Sequence, residues 1–334
     1  MNPAAIGVDI GGGKIVTGRV EPDGTVAEQS RLVTPRADSD ALVNAVVRMV
    51  SALGPGLPVG VGVAALVTDD GELRYGPNLG VERVHLRQLL EARLSVPVSV
   101  HNDATAALWG EARAGAATGI DCVLLLTLGT GVGGAVLDHG RFVLGAGFGG
   151  ELGHIVVAEG GRSCRCGSVG CLEAYASGTA IGVRAYELAA TKPLPPVLKD
   201  VPGGFDEIDV SRAAADGDPF SVEVVREAGR WLGVGLTSLV NAFDPELVVV
   251  GGGVTDAVGH IMIPEATEVM TSRLIGAALR RPPRVVRAAL GDDAGMIGAA
   301  LLAPDREASI DDTVGPRRVR THARLDPEES EGAP

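Results

Sequence analysis

Residues 4–14 read Ala-Ala-Ile-Gly-Val-Asp-Ile-Gly-Gly-Gly-Lys, and residues 121–134 read Asp-Cys-Val-Leu-Leu-Leu-Thr-Leu-Gly-Thr-Gly-Val-Gly-Gly. Each is a short apolar run that ends in glycines. Each is followed by a second run (Lys14–Glu21 and Ala135–Leu137) and then by a turn signal, Pro22-Asp23-Gly24 in the first and Asp138-His139-Gly140 in the second. Apolar runs of strand length bounded by such residues read as hairpins. One strand–glycine turn–strand unit is therefore used twice, about 118 residues apart, which fits two similar α/β domains facing one another.

Outward from these hairpins the pattern stays α/β. Thr25–Thr34 continues the first meander as a strand, and Ser39–Leu53 carries a helical apolar stripe between Asp38 or Ser39 as N-cap and Gly54-Pro55. Pro58–Ala65 and Val96–His101 are near-continuous runs of the kind found in buried parallel strands. Asp103–Arg113, Glu173–Ala190, Pro219–Phe243 and Asp293–Leu302 read as helices, and Glu246–Val250 as a strand entering Gly251-Gly252-Gly253. The expected organisation is an N-terminal α/β domain over 1–115, completed by a helix near 293–303, and a larger α/β domain over 116–292. Residues 305–334 are charged and apolar-poor, and are expected to be a disordered tail.

The chain has 334 residues, 46% of them hydrophobic, enough for a large core without disulfides. A net charge of −13 argues against unspecific binding to nucleic acid or anionic membrane. Aromatic residues at 3% leave few platforms for stacking bases. An anionic substrate must then be held locally, by backbone N–H groups and a metal ion. The first residues carry no signal-peptide pattern and no apolar run is long enough to span a bilayer, so the expected location is cytoplasmic. The 48 glycines follow no Gly-x-y period; they belong to turns and to places where backbone meets a ligand.

Three glycine turns follow apolar strands: Gly11, Gly12 and Gly13; Gly129, Thr130 and Gly131 with Gly133; and Gly251, Gly252 and Gly253. Backbone without Cβ atoms can aim several N–H groups at a phosphate. Asp9, just before the first turn, can anchor Mg²⁺ against the same phosphates. Neither a Walker-type loop nor a dinucleotide-binding fingerprint fits, because Gly11–Gly13 leads into a strand. His101-Asn102-Asp103 stands where a strand gives way to a helix, the place where open α/β sheets bind ligands. Asp103 taken alone at that point reads first as a helix N-cap, a role compatible with positioning a carboxylate. His154, Cys164, Cys166 and Cys171 make a Cys₃His set suited to a tetrahedral structural Zn²⁺ with no open position. Glu151 and Glu173 flank that loop, and carboxylates beside an imidazole suit sugar hydroxyls. Cys122, in a strand, reads as a core residue.

These segments together resemble the ROK family of sugar kinases and repressors, and within it the bacterial glucokinases, from Ile6 to about Ala303. Val8–Lys14 and Thr127–Gly134 look like the two phosphate motifs, and Asn102–Ala107 with Glu111 like the catalytic segment. Gly149–His154 and Cys164–Glu173 look like the sugar and zinc signatures, and Asp244-Pro245-Glu246 with Gly251–Gly253 like the part that meets adenosine. The resemblance implies an actin-like ATPase (ribonuclease H-like) fold with ATP between two α/β domains, and Lys14 beside the phosphates. It implies Asp103 as the general base for a sugar 6-hydroxyl, and Asn78, Asn102, Asp103, Glu151, His154 and Glu173 as sugar contacts. A homodimer or homotetramer is implied on the same ground. Glucose is the expected acceptor, with N-acetylmannosamine or N-acetylglucosamine as alternatives, and a non-catalytic sugar sensor as a third reading. The family's repressors carry a DNA-binding domain in front; with Asp9 so near the start, none is expected here. Two positions depart from the family pattern: Gly13 stands where Thr is usual, and Ala64-Ala65-Leu66 where Pro is common.

Overall fold

The computed structural model describes residues 4–304, and the tail expected over 305–334 lies outside the described residues. The chain opens with the meander β1 (Ala5–Ile10), β2 (Lys14–Val20) and β3 (Val26–Val33). Helix α1 (Ser39–Leu53) follows, capped by the Asp38 carboxylate on Ala41 N at 2.9 Å. Strand β4 (Val59–Val63), a small sheet of β5 (Leu66–Val67), β6 (Leu73–Gly76) and β7 (Val81–Val84), helix α2 (Leu86–Leu94) and strand β8 (Val98–Asn102) come next. Helix α3 (Asp103–Ala114) leads out of this half.

The second half repeats the plan. A second meander, β9 (Cys122–Leu128), β10 (Val132–Asp138) and β11 (Arg141–Phe142), is followed by the cysteine loop and helices α4 (Glu173–Ala176), α5 (Gly178–Ala189), α6 (Pro196–Lys199), α7 (Glu207–Ala215) and α8 (Pro219–Phe243). Strand β12 (Leu247–Gly251), helix α9 (Gly253–Arg273), strand β13 (Arg284–Arg287) and helix α10 (Ala294–Leu301) complete it. The two main sheets have orders β3-β2-β1-β4-β8 and β11-β10-β9-β12-β13. In each, three antiparallel strands are joined to two parallel ones through the strand that precedes the glycine turn. The duplication read from the hairpins is thus a duplication of whole sheets.

The last helix of each half packs across the midline. The α3 residues Ala104 and Leu108 share a core with Val123 and Leu125 of β9 and Leu247 of β12. From α10, Met296, Ile297 and Ala300 pack on Val16 and Val20 of the first sheet. Side chains on α3 and α10 are small where the two helices meet. A methyl group on Gly298 would lie 1.7 Å from Ala106 O, and one on Gly110 2.7 Å from Ala294 O. The approach of α10 to the first sheet is as close, since a methyl on Gly60 would lie 1.7 Å from Ala299 O.

Three expectations are corrected. The helix read over Glu173–Ala190 is broken: α4 ends at Ala176, and Ser177 caps a new helix through Ala180 N at 3.1 Å. Ser favours a cap over a helix interior because its hydroxyl competes for backbone donors. Gly133 and Gly134 belong to β10 and not to the turn before it. Cys122 is half-buried, not core; its Sγ lies 3.1 Å from Asp138 Oδ1 and 3.6 Å from His139 Nδ1 at the end of the second hairpin.

Because α3 and α10 meet backbone to backbone, Gly298→Ala should cost about 1–3 kcal/mol of stability or more. Gly253→Ala, whose methyl would meet nothing within 4 Å, should stay within about 0.5 kcal/mol of the parent. Denaturant titration of both variants checks this; equal stability would contradict the packing.

Candidate active site

The first two glycine turns are built alike. In the first, Thr34 Oγ1 donates to Gly11 O (2.7 Å), Arg36 Nε to Gly12 O (2.6 Å) and Thr34 N–H to Gly13 O (3.2 Å). In the second, Gly178 N–H donates to Gly129 O (2.8 Å), Thr179 Oγ1 to Thr130 O (2.8 Å) and Gly129 N–H to Gly131 O (2.9 Å). Every carbonyl oxygen of the two turns is therefore occupied by a protein donor. The N–H groups of Gly11 and Gly129 are spent within the turns, on Lys14 O and Gly131 O, and what remains for a ligand is the N–H of Gly12, Gly13, Thr130 and Gly131, which suits an anion. Gly251 ends β12, and Gly252, with φ +89°, opens α9; a methyl on it would lie 2.4 Å from Leu128 O, so this third turn abuts the second. A 21-residue helix beginning there adds unpaired N–H groups and the positive end of its dipole. That the third turn opens a helix, unlike the first two, was not legible in the glycines themselves.

Asn102, not Asp103, is the N-cap of α3. Asn102 Oδ1 accepts from Ala104 N (2.9 Å) and Thr105 N (3.2 Å), and its Nδ2 donates to Ala65 O (3.3 Å). Asp103 Oδ1 also receives Ala104 N–H at 2.9 Å. The cap reading of Asp103 is thus answered by its neighbour, and Asp103 gives the following turn of helix only one oxygen, Oδ1, through Ala104 N–H. Burial raises the Asp103 pKa above the usual carboxylate range, opposed by the Ala104 N–H. Asp9, near the end of β1, is pushed up to about 7 by burial and then by the Asp103 charge, with Lys14 pulling the other way. Asp292 and Asp293 add to the rise. Three carboxylates thus bear on Asp9; Asp292 is paired with Lys14 and Asp293 with Arg31, while Asp9 and Asp103 have no cationic side chain bonded to them among the described residues.

Proximities carry the site outward from Asp103. A methyl on Gly133 would lie 3.3 Å from Ala104 Cβ, which sets the start of α3 beside the second hairpin. A methyl on Gly12 would lie 3.1 Å from Asn78 Cβ, which sets exposed Asn78 beside the first turn. Lys14, however, spends its ammonium on Asp292 at 2.6 Å. The Ala64–Leu66 loop, without the usual Pro, is held by Ala64 N–H on Ile10 O (3.0 Å) and by Asn102 on Ala65 O.

The short turn Leu152–His154 lies against β10, for a methyl on Gly153 would come within 2.0 Å of Val132 O. This brings Glu151 and His154 to the second glycine turn. The Nδ1 of His154 is 3.7 Å from Cys164 Sγ, Cys166 Sγ is 3.7 Å from Cys171 Sγ, and one donor atom from each of the four residues lies within 4.8 Å of the others. A tetrahedron with zinc–sulfur bonds of about 2.3 Å has edges of about 3.8 Å, so the four donors suit such an ion. Tight turns make this possible: Gly167 has φ +91°, and Gly167 N–H bonds to Cys164 O at 3.1 Å. The other face of His154 presents Nε2 at 3.9 Å from Glu151 Oε2. Burial raises the Glu151 pKa, His154 lowers it, and Asp103 and Glu173 raise it, so these four groups share one region. Glu173 Oε2 accepts from Val132 N at 2.9 Å, while Oε1 lies 3.5 Å from Cys164 Sγ.

The structure thus brings Asp9, Asp103, Glu151, His154 and Glu173 into one neighbourhood, with Asn78 beside the first turn and Gly252 beside the second, while Lys14 is turned to Asp292. Sequence reasoning missed the pieces that brace it: Thr34, Arg36 and Thr179 behind the turns, and Asp292 and Asp293 beside Asp9. Only Asp292-Asp293, next to the start of a predicted helix, left any signal.

Comparison with known proteins agrees with this geometry. The ROK family model matches residues 5–306. The glucokinase of Streptomyces coelicolor is 37% identical over 312 residues, covering 89% of this chain and 96% of that one. Among solved structures, a ROK family glucokinase from Streptomyces griseus in complex with glucose and AMPPNP is 38% identical with a TM-score of 0.82, over 90% of this chain and 99% of that one. A ROK hexokinase from Thermus thermophilus is 34% identical with a TM-score of 0.75, over 90% and 97% of the two chains. The two matched sheets around a cleft are the actin-like ATPase fold of these sugar kinases, and with a family match over nearly its whole length the chain belongs to the ROK family.

Proposed function

We propose that this protein is a hexose kinase that transfers the γ-phosphoryl group of Mg-ATP to the 6-hydroxyl of glucose. The observation that carries the reading is the Asn102–Asp103 pair, in which Asn102 caps the helix and leaves Asp103 a carboxylate oxygen for chemistry between two anion-suited turns. The similarity to a glucokinase solved with glucose and AMPPNP supports the same donor and acceptor.

In this reading glucose lies between Asp103 and the zinc loop, with Asn78, Asn102, Glu151, His154 and Glu173 as partners for its hydroxyls. Asp103 accepts the O6 proton as O6 attacks the γ-phosphorus. The new O6–P bond forms while the bond from phosphorus to the β–γ bridging oxygen breaks, and ADP leaves with that electron pair. The glycine turns hold the phosphates in line, so that most of the acceleration comes from positioning and charge neutralisation. Asp9, with its neighbouring carboxylates, is the group that receives the Mg²⁺ carried by the donor. His154, Cys164, Cys166 and Cys171 hold a structural Zn²⁺, which fixes the imidazole and the loop before Glu173 and takes no part in the transfer.

Three outcomes test this. In a coupled ADP-release assay, glucose should be preferred over N-acetylmannosamine and N-acetylglucosamine, and Asp103→Asn should lower kcat by roughly 10²-fold or more in a folded protein. Because a base must be ionised and burial raises Asp103, activity should be lost as pH falls through a value above the ordinary Asp range of about 4. Near-normal kcat in Asp103→Asn would remove the assignment.

Metal analysis should find about one zinc per chain. Cys166→Ser should lose the metal and raise the glucose KM, and full activity in a zinc-free preparation would refute the role.

Gly13 is not held in a left-handed conformation, and a methyl there would meet nothing within 4 Å. The glycine is therefore not required by the backbone. Gly13→Thr should leave Tm unchanged and raise kcat/KM for ATP by about tenfold or more, the worth of a hydrogen bond to an ionised oxygen. A lower Tm would contradict this.

A further inference from the structure

Glu111 is fully buried on α3, eight positions beyond Asp103. It has no cationic partner among its hydrogen bonds; its carboxylate is met by three backbone N–H groups. Oε2 accepts from Ala116 N (2.7 Å) and Ala289 N (3.1 Å), and Oε1 from Leu290 N (2.8 Å). The Glu111 carbonyl also receives the N–H groups of Gly115 (3.1 Å) and Ala117 (3.0 Å). A methyl on Gly115 would lie 2.2 Å from Oε2, so the position beside the carboxylate is kept bare.

The partners matter because of where the chain runs. It passes from the first sheet to the second through α3 and residues 115–121, between β8 and β9, and returns through 288–293, between β13 and α10. Ala116 lies in the outward crossing, and Ala289 and Leu290 lie in the return crossing. One carboxylate therefore holds both crossings at one point. Immediately beyond it, Asp292 and Asp293 of the return crossing pair with Lys14 and Arg31 of the first half. A ligand held by turns from both halves can be enclosed only if the halves rotate about the segments that join them.

We infer that Glu111 is the pivot of this closure, a positioning residue that acts through the two crossings and touches neither substrate. The inference rests on the cleft binding glucose and ATP as proposed above. Chemistry favours a carboxylate here. Its two oxygens accept three N–H groups and present no hydrogen, whereas the amide of Gln keeps one acceptor and turns an NH₂ toward a backbone donor.

The test uses the full chain. Trp109 donates from Nε1 to Leu301 O of α10 (3.3 Å), and its ring lies 5.5 Å from that of Phe142 in the second half. The chain has two tryptophans, so Trp231→Phe leaves Trp109 as the reporter. In that background the parent should show a glucose-dependent change in Trp109 fluorescence and a smaller radius of gyration by X-ray scattering. Glu111→Gln should lose both changes, lower kcat about tenfold or more and raise the glucose KM, while its circular dichroism stays native. A residue that only stabilises the fold would lower Tm and leave closure and per-molecule kcat within twofold, and that result would overturn the pivot. If Glu111→Gln does not fold, Glu111→Asp, one methylene too short to span both crossings, is read in the same way. Failure of both to fold assigns Glu111 to stability alone and overturns the inference. A parent that phosphorylates no glucose defeats the functional reading, whereas a parent that phosphorylates glucose without compaction defeats the pivot.

Discussion

The structure depends on the contact of two helices with almost nothing between them. α3 follows the last strand of the first half but packs on the second sheet, and α10 follows the last strand of the second half but packs on the first. Each half is completed by the other's helix, and the two helices touch at Gly110, Ala106 and Gly298 through backbone atoms. Any side chain larger than these would push the helices apart, and with them Asp103 at the start of α3 and the Asp9 carboxylate, which lies against Gly295 at the start of α10. Small residues at this contact are thus a requirement of the active site as much as of the fold.

The second constraint is electrostatic. A chain with a net charge of −13 must bind a nucleotide that is itself polyanionic. The surface field works against this; Lys14, next to the first turn, is paired with Asp292, and Arg36 gives its Nε–H to Gly12 O behind that turn. The turns themselves meet the phosphates with dipoles. Their carbonyl oxygens are occupied from within the protein, which leaves N–H dipoles as the available groups. Preorganised dipoles of this kind cost no reorganisation when charge moves in the transition state.

Much of this was legible in the sequence because the informative features are local. A strand, a glycine turn and a second strand lie within some twenty residues, and using the unit twice disclosed two similar sheets before any contact was known. The Cys₃His cluster was legible for the same reason, three of its four side chains falling between Cys164 and Cys171. Features set by distant partners were not. Nothing near Glu111 announces Ala289 and Leu290, about 178 residues away. The small sheet of β5–β7, with strands of two to four residues, carries too little periodicity to read. Cys122 looked like core because its strand is apolar, but it is the first residue of β9 and faces a polar turn. The division of labour between Asn102 and Asp103 needed coordinates, since either side chain can cap a helix.

The break at Ser177, hidden in what reads as one long helix, ties these strands together. Were α4 and α5 continuous, Gly178 N–H would bond to Ala174 O in the helical ladder. It bonds instead to Gly129 O at 2.8 Å, and Thr179 reaches Thr130 O. At the other end of α4, Glu173 holds Val132 N–H with one oxygen, lies 3.5 Å from the metal-loop thiol of Cys164 with the other, and has its Oε2 where a methyl on Gly131 would come within 2.3 Å. A single helical turn thus grips the second glycine turn at both ends and rests on the cysteine loop. Loosening that loop would free Glu173, and with it Val132 and the turn beside Asp103. A structural metal held there, as proposed above, would act on phosphoryl transfer by this route, through the placement of backbone N–H groups and not through its charge.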